Sequence, residues 1–172
     1  MSNAIVTIIM TALMLAGVSI LAQGSFAAVD NVSESWKGME ARSAEIARTD
    51  LSIVGVSYAT PTLDVTLSNS GGETLRDFAK WDVFVRYYET NGTLHDTYLA
   101  YSSASPTDDN EWQKYGIYLD ASAGTAESFQ PGLFDPAEEM VLRLRLDPVV
   151  DSGANNVVVI GTPNGVTASE PF

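Results

Sequence analysis

The chain has 172 residues, of which 22 are acidic and 9 basic, so its formal net charge is −13 at neutral pH, and it contains no cysteine. The negative charge argues against nucleic-acid binding, because Lys and Arg on phosphates supply most of that affinity. The lack of Cys excludes disulfides, thiolate chemistry and Cys-rich metal sites.

An uncharged apolar segment opens the chain. Residues 4–28 contain neither charge nor proline, and the first basic residue is Lys37. About 20 such residues cross a bilayer as a helix, whereas a secretory signal has a basic start and a shorter apolar core. The segment therefore predicts a membrane-inserting helix, with a plain anchor and an uncleaved signal as alternatives. Because Lys or Arg normally orients an inserting segment, we expect a removed basic leader and Met1 as the mature start.

The same helix is predicted to pack against other helices and to continue beyond the apolar segment. Ala12 and Ala16, then Gly24 and Ala28, place small residues four apart, a spacing that lets helices approach closely in apolar surroundings. From Val29 onward, apolar residues that include Trp36 follow a heptad-like spacing. We therefore predict a polymerisation helix over 1–49, with these small residues and Trp36 in its packing surface.

After residue 50 the apolar period changes from helical to alternating, which is typical of half-buried antiparallel strands. Turn residues such as Asn91-Gly92 and Pro131-Gly132 separate the alternating runs. The predicted strands are 51–58, 63–68, 81–88, 94–101, 115–119, 140–147 and 156–161. This pattern predicts an α+β chain, in which a long N-terminal α-helix precedes an outer all-β, immunoglobulin-like sandwich of about seven strands over 50–172. A partly open barrel is the structural alternative.

The whole chain resembles the archaellins, the archaeal-type flagellins that form the archaellum filament. The resemblance rests on the helix followed by the β-domain and on three short motifs. These motifs are Asn69-Ser70-Gly71-Gly72 leading to Leu75 and Phe78, Trp81-Asp82-Val83-Phe84-Val85, and Thr162-Pro163-Asn164-Gly165-Val166.

The resemblance implies a type IV pilin-like subunit of an extracellular helical filament used for swimming. Its N-terminal helices would bundle with those of identical copies after transient membrane insertion, and its β-domains would lie outside. A prepilin-type peptidase and an assembly ATPase with its platform are the implied partners. An adhesive pilin, or a membrane-anchored accessory or binding subunit, is the alternative. The sequence predicts no enzyme and no cofactor, because no nucleophile or acid/base constellation stands out.

Two kinds of minor site are candidates. Asp108, Asp109 and Glu111 supply oxygen ligands of the kind that Ca²⁺ takes, in a loop after Pro106. Their spacing differs from a calcium loop and favours a solvated acidic turn. Asn31 and Asn91 each begin the Asn-x-Ser/Thr pattern of a glycosylation acceptor, and Asn91 lies in a predicted hairpin turn.

His95 is the only histidine in the chain, and we interpret it as an incidental strand or loop residue. The aromatic residues form the last candidate, a carbohydrate-binding platform. Core or subunit-interface packing is the favoured interpretation for all of them. They are Trp36, Trp81, Phe84, Tyr87, Tyr88, Trp112 and Tyr115.

Overall fold

The computed structural model describes residues 2–104, 108–153 and 155–172, so Met1 and Pro106 lie outside the described residues. It confirms the predicted class, a long α-helix followed by a β-domain. The helix and strands are α1 (Ser2–Arg48), β1 (Leu51–Ala59), β2 (Thr62–Asn69), β3 (Asp82–Tyr88), β4 (Leu94–Tyr101), β5 (Glu111–Asp120), β6 (Thr125–Ala126), β7 (Glu139–Arg145), β8 (Val157–Gly161) and β9 (Thr167–Pro171).

The chain divides into two compact units, Met1–Ala44 and Glu45–Phe172. The first unit is helix alone. The second contains the last turn of α1 and all the strands, and we call it the β-domain. The predicted roles of segments 1–49 and 50–172 stay predictions.

The strands of the β-domain form one hydrogen-bonded path in the order β1-β2-β7-β5-β4-β3-β8-β9, and β6 pairs with β5. Antiparallel ladders form two faces, β1-β2-β7-β5 and β4-β3-β8-β9. A short parallel pairing of Ala100 and Tyr101 with Glu111 and Trp112 joins them. The two faces match the predicted sandwich, and the strand pairing that joins them is a feature of the barrel alternative. The described residues contain nine strands, whereas the sequence predicts about seven.

The core fills the space between these two faces. In β2, β3 and β7, buried and solvent-facing residues alternate along the strand, because successive side chains point to opposite sides of a sheet. Trp81, Tyr87 and Trp112 are almost fully buried there. These three aromatic residues are therefore core residues and cannot form a solvent-facing carbohydrate platform.

Candidate functional site

The first candidate site is the surface of α1. Every large apolar residue from Ile5 to Trp36 exposes more than half of its surface, and the helix is long and apolar enough to cross a membrane. The hydroxyls of Thr7, Thr11 and Ser19 each donate to the carbonyl four residues earlier, at 2.8–2.9 Å. These polar groups are therefore satisfied inside the helix, as an apolar medium requires.

The predicted small-residue contacts fall on two different sides of this helix. At 3.6 residues per turn, the pair Ala12 and Ala16 lies about 120° around the axis from Gly24 and Ala28. Gly17 lies on the same side as the second pair. One helix–helix contact cannot use all four small residues. The two pairs would therefore contact two different neighbouring helices, or only one pair would form a contact.

The second candidate site lies within the β-domain, around the last turn of α1. The buried Thr49 donates its hydroxyl to the Glu45 carbonyl at 2.9 Å and accepts a 2.8 Å hydrogen bond from Asn164 Nδ2. Asn164 belongs to the turn between β8 and β9, in which Gly165 has a positive φ of 93°. The last turn of the helix is thereby fixed to one end of the β-domain.

The loop after β2 also forms hydrogen bonds with the end of α1. The Gly72 amide donates to the Arg48 carbonyl at 2.7 Å, and the Arg48 guanidinium pairs with Glu73. Asn69, fully buried, holds this loop: its Nδ2 donates to the carbonyls of Glu73 and Phe134 at 2.8 and 3.0 Å. We call Asn69–Glu73 together with Thr162–Val166 the helix socket.

The socket explains two of the short motifs singled out in the sequence. Its two loops are separated by about 90 residues along the chain, so the sequence gives no sign that both reach the same helix end. Asn164 is the functional residue that the sequence interpretation did not assign, and its place in a Pro-Asn-Gly turn is the only local signal for it.

Truncation tests the socket. A fragment that starts at Glu45 keeps the Arg48 carbonyl and Thr49, whereas one that starts at Asp50 leaves the Gly72 amide without its acceptor. Because each lost hydrogen bond costs about 1 kcal/mol, we expect the free energy of unfolding of fragment 50–172 to be about 2 kcal/mol lower than that of 45–172. Urea titration of both fragments measures the difference, and equal stabilities would contradict the socket.

The third candidate site is the outer surface of β3, β4 and β8. Phe84 and Tyr98 are about half exposed there, with their ring centroids 5.1 Å apart. With Val157 and Val159 they line a shallow depression of about 530 Å³. We call these four residues the Phe84 face. Phe84 and Tyr98 are half exposed and the two valines are partly buried, so we treat this small apolar cluster as a candidate interaction surface.

One ion pair borders the Phe84 face. Arg86 donates to both carboxylate oxygens of Asp96, at 2.6 and 3.1 Å. This hydrogen bonding lowers the pKa of the Asp96 carboxyl and raises that of Arg86, so both groups are charged at neutral pH. The pair is neutral as a whole, and the depression has no other charged lining residue among those described.

The opposite sheet also exposes an aromatic residue. Arg143 forms two hydrogen bonds with Asp64, at 2.8 and 2.7 Å, and its guanidinium lies 3.7 Å from the centroid of the Tyr115 ring. Hydrogen bonding to Asp64 raises the pKa of Arg143. Tyr115 is therefore covered on one side by the charged Arg143, whereas the Phe84 and Tyr98 rings pack on each other.

The three candidate metal ligands do not converge in the structure. Asp109 pairs with Arg145 at 2.7 Å, and Glu111 accepts a hydrogen bond from the Asp108 amide at 3.2 Å. Among the described residues, no group of three or more acidic, His or Cys side chains is placed to hold a metal ion. The local arrangement is that of an acidic turn.

Both candidate glycosylation residues are exposed. Asn91 lies in the turn between β3 and β4, where its side-chain oxygen accepts a hydrogen bond from the Thr93 amide at 2.8 Å. Asn31 lies on α1. Their glycosylation stays a prediction.

His95 packs against neighbouring residues from its place in β4. Its Nε2 lies 3.3 Å from Glu89 Oε2, and its ring stacks on the Tyr87 ring.

Comparison with known proteins finds similar proteins both by sequence and by structure. No protein-family model matches the chain. It is 27% identical over 170 residues to an uncharacterized protein of Archaeoglobus fulgidus, covering 98% of this chain and 92% of the relative. Its structure is similar to the archaellum periplasmic stator protein FlaG from Sulfolobus acidocaldarius, with a TM-score of 0.50 and 22% identity, over 72% of this chain and 99% of FlaG.

A second solved structure, the complex of the stator proteins FlaF and FlaG from Sulfolobus acidocaldarius, matches with the same TM-score and identity. The match covers 71% of this chain and 87% of the matched chain. At this identity the likeness concerns the fold. The fold of this chain is therefore FlaG-like, and the share covered is about the size of the β-domain.

Proposed function

We propose that this chain is a membrane-anchored accessory subunit of an archaellum, with a stator-like, stationary role. In this arrangement α1 anchors the chain in the membrane and the β-domain works outside it. The observation that carries the proposal is the fold likeness to FlaG, which spans nearly the whole of that stator chain. The chain would do no chemistry, and its function would be mechanical.

The helix socket fits a stationary role. A stator must pass the reaction force of a rotating part to its support, so a flexible linker between anchor and domain would dissipate that force. Only Thr49 and Asp50 separate α1 from β1, and Thr49 is held by Asn164. The last turn of α1, which belongs to the β-domain, would therefore be held by hydrogen bonds within that domain.

The partner would bind at the Phe84 face. The matched FlaG forms a complex with FlaF, and by analogy we expect another extracytoplasmic subunit of the same machine to contact this β-domain. A neutral apolar surface suits that role in a chain with a net charge of −13, because burying it requires no removal of uncompensated charge from water.

The second candidate function is that of a filament subunit, which the archaellin resemblance implies. The apolar segment 4–28 and its small residues favour it, since bundled helices need such contacts. The two matched structures are stator proteins and give that role no support, so the homo-oligomeric filament stays a prediction.

Cell fractionation separates the two roles. We expect an epitope-tagged chain to stay in the membrane fraction when filaments are sheared from the cells, and cells that lack the chain to assemble filaments that do not drive swimming. Recovery of the chain as the main component of sheared filaments would overturn the accessory role and establish the filament subunit.

Substitution of Phe84 tests the partner surface. We expect Phe84→Asp to abolish swimming while the chain remains folded and in the membrane, because a carboxylate in the depression must be desolvated for a partner to bind. Leu119→Asp is the matched control, since Leu119 is a similarly exposed apolar residue in β5 on the other sheet. Swimming by cells with Phe84→Asp would exclude this face as the contact.

A further inference from the structure

A second apolar surface lies beyond the segment that can occupy a membrane. Residues Val29, Val32, Trp36, Met39 and Ile46 form a stripe along α1, with Ser43 at the intervening position of the repeat. Trp36 and Met39 are each 71% exposed. Lipid can cover residues 4–28, but the charged residues interspersed after Asp30 place this stripe in water, so it needs a protein partner.

The spacing of the stripe fits another helix with the same repeat. Positions 29, 36 and 43 are a positions of a heptad, and 32, 39 and 46 are d positions. The flanking e and g positions are mostly small and uncharged: Ala28, Ser33, Ser35 and Ala47, with Glu40 and Arg42 as exceptions. Two parallel, aligned copies bring no like charges together across these flanks.

The membrane would supply the alignment. Two copies anchored by segment 4–28 have the same orientation, and their apolar segments must lie at the same depth in the bilayer. Their stripes then begin at the same height above the membrane and run in parallel. An unrelated partner helix has no such constraint on its register.

The charge distribution also favours self-contact through the helix. Residues 29–48 carry four acidic and three basic side chains, whereas residues 49–172 carry eighteen acidic and six basic ones. Two β-domains therefore repel each other, while two helical extensions are nearly neutral. The helix is the part of the chain on which two copies can meet at low electrostatic cost.

We infer that residues 29–46 form a parallel coiled coil between two copies of this chain, directly outside the membrane. The inference rests on the membrane anchoring of the proposed function. The stripe covers only about two and a half heptads, which is short for a coiled coil in free solution. Confinement in the bilayer raises the effective concentration of the second helix and makes pairing favourable.

The cysteine-free sequence allows a direct test. Single-cysteine variants of the full chain are reconstituted in phosphatidylcholine vesicles and oxidised with a copper catalyst. Met39→Cys and Ser43→Cys place the thiol at d and a positions. Glu34→Cys and Ala41→Cys are the matched controls at f positions, on the far side of the helix. We expect disulfide-linked dimers at the stripe positions at least about fivefold above the controls.

The outcomes separate this inference from the proposed function. Extraction of the vesicles with alkaline carbonate first shows whether the chain is anchored. An anchored chain that cross-links equally at all four positions, or at none, overturns the coiled coil and leaves the anchor intact. A chain that carbonate extracts overturns the anchor, and the coiled coil with it. As a second measurement, Trp36→Lys combined with Met39→Cys should lose the dimer, whereas Glu34→Lys with Met39→Cys should retain it.

Discussion

Replacement of Asn69 by Leu is expected to lower the free energy of unfolding of the β-domain by about 3–4 kcal/mol. Asn69 has no exposed surface, and its amide donates to the carbonyls of Glu73 and Phe134 while its oxygen accepts from the Gly71 amide. Leu has nearly the same shape but replaces none of these bonds. Each lost bond costs about 1 kcal/mol, and more where a backbone group is left buried without a partner.

Urea unfolding of the full chain in detergent, followed by tryptophan fluorescence, measures this change, because Trp81 and Trp112 become exposed when the β-domain unfolds. Asn91→Ala is the matched control. It also removes a turn asparagine that bonds a backbone amide two residues later, but Asn91 is exposed, so water can replace the bond. We expect that control to cost less than about 1 kcal/mol. An equal effect of both variants would mean that the loop does not depend on the burial of Asn69.

The sequence predicts a strand of the β-domain correctly where large apolar residues line one buried face of that strand. It does not reveal a strand that lacks such a face. The alternation of β2, β3 and β7 is visible because large apolar residues fill every second position. In β9, Ala168 is the only buried residue, so Thr167–Pro171 has no apolar period to detect. The first half of β5 has no alternating pattern, because the adjacent residues Trp112 and Gln113 are both buried. A register shift between Lys114 and Gly116 follows.

The candidate sites also differ in whether a local sequence pattern predicts them. The apolar segment 4–28 and the heptad stripe are local patterns, and both are readable from single residues and their spacing. The Phe84 face depends on the pairing of Phe84 with Tyr98 and with Val159. Val159 is 75 residues distant in the chain, so its position beside β3 follows only from the strand order. The sequence does not predict the helix socket for the same reason: its two loops are far apart in the chain, although each loop is recognisable as a turn.

The second large effect is expected at Gly71, where the loop after β2 passes the end of α1. A Cβ at this position would lie 2.5 Å from both the Arg48 carbonyl oxygen and the Asp50 amide nitrogen. Both are backbone atoms at the point where the helix enters β1, so neither can move aside as a flexible side chain would. The loop must shift instead, which weakens the Gly72 bond to Arg48 and the Ser70 bond to Asp50. Steric overlap of this kind costs up to about 3 kcal/mol.

Gly71→Ala is therefore expected to lower the free energy of unfolding by about 3 kcal/mol, near the upper end of the range for overpacking. Gly72→Ala is the matched control: no atom lies within 4 Å of the added Cβ, and the amide that donates to Arg48 remains, so its effect should stay within about 0.5 kcal/mol. Limited proteolysis gives a second measurement, because a displaced loop exposes residues 48–50. If Gly71→Ala is as stable and as protease-resistant as Gly72→Ala, the last turn of α1 is not held by this loop, and the helix socket no longer supports the proposed stationary role.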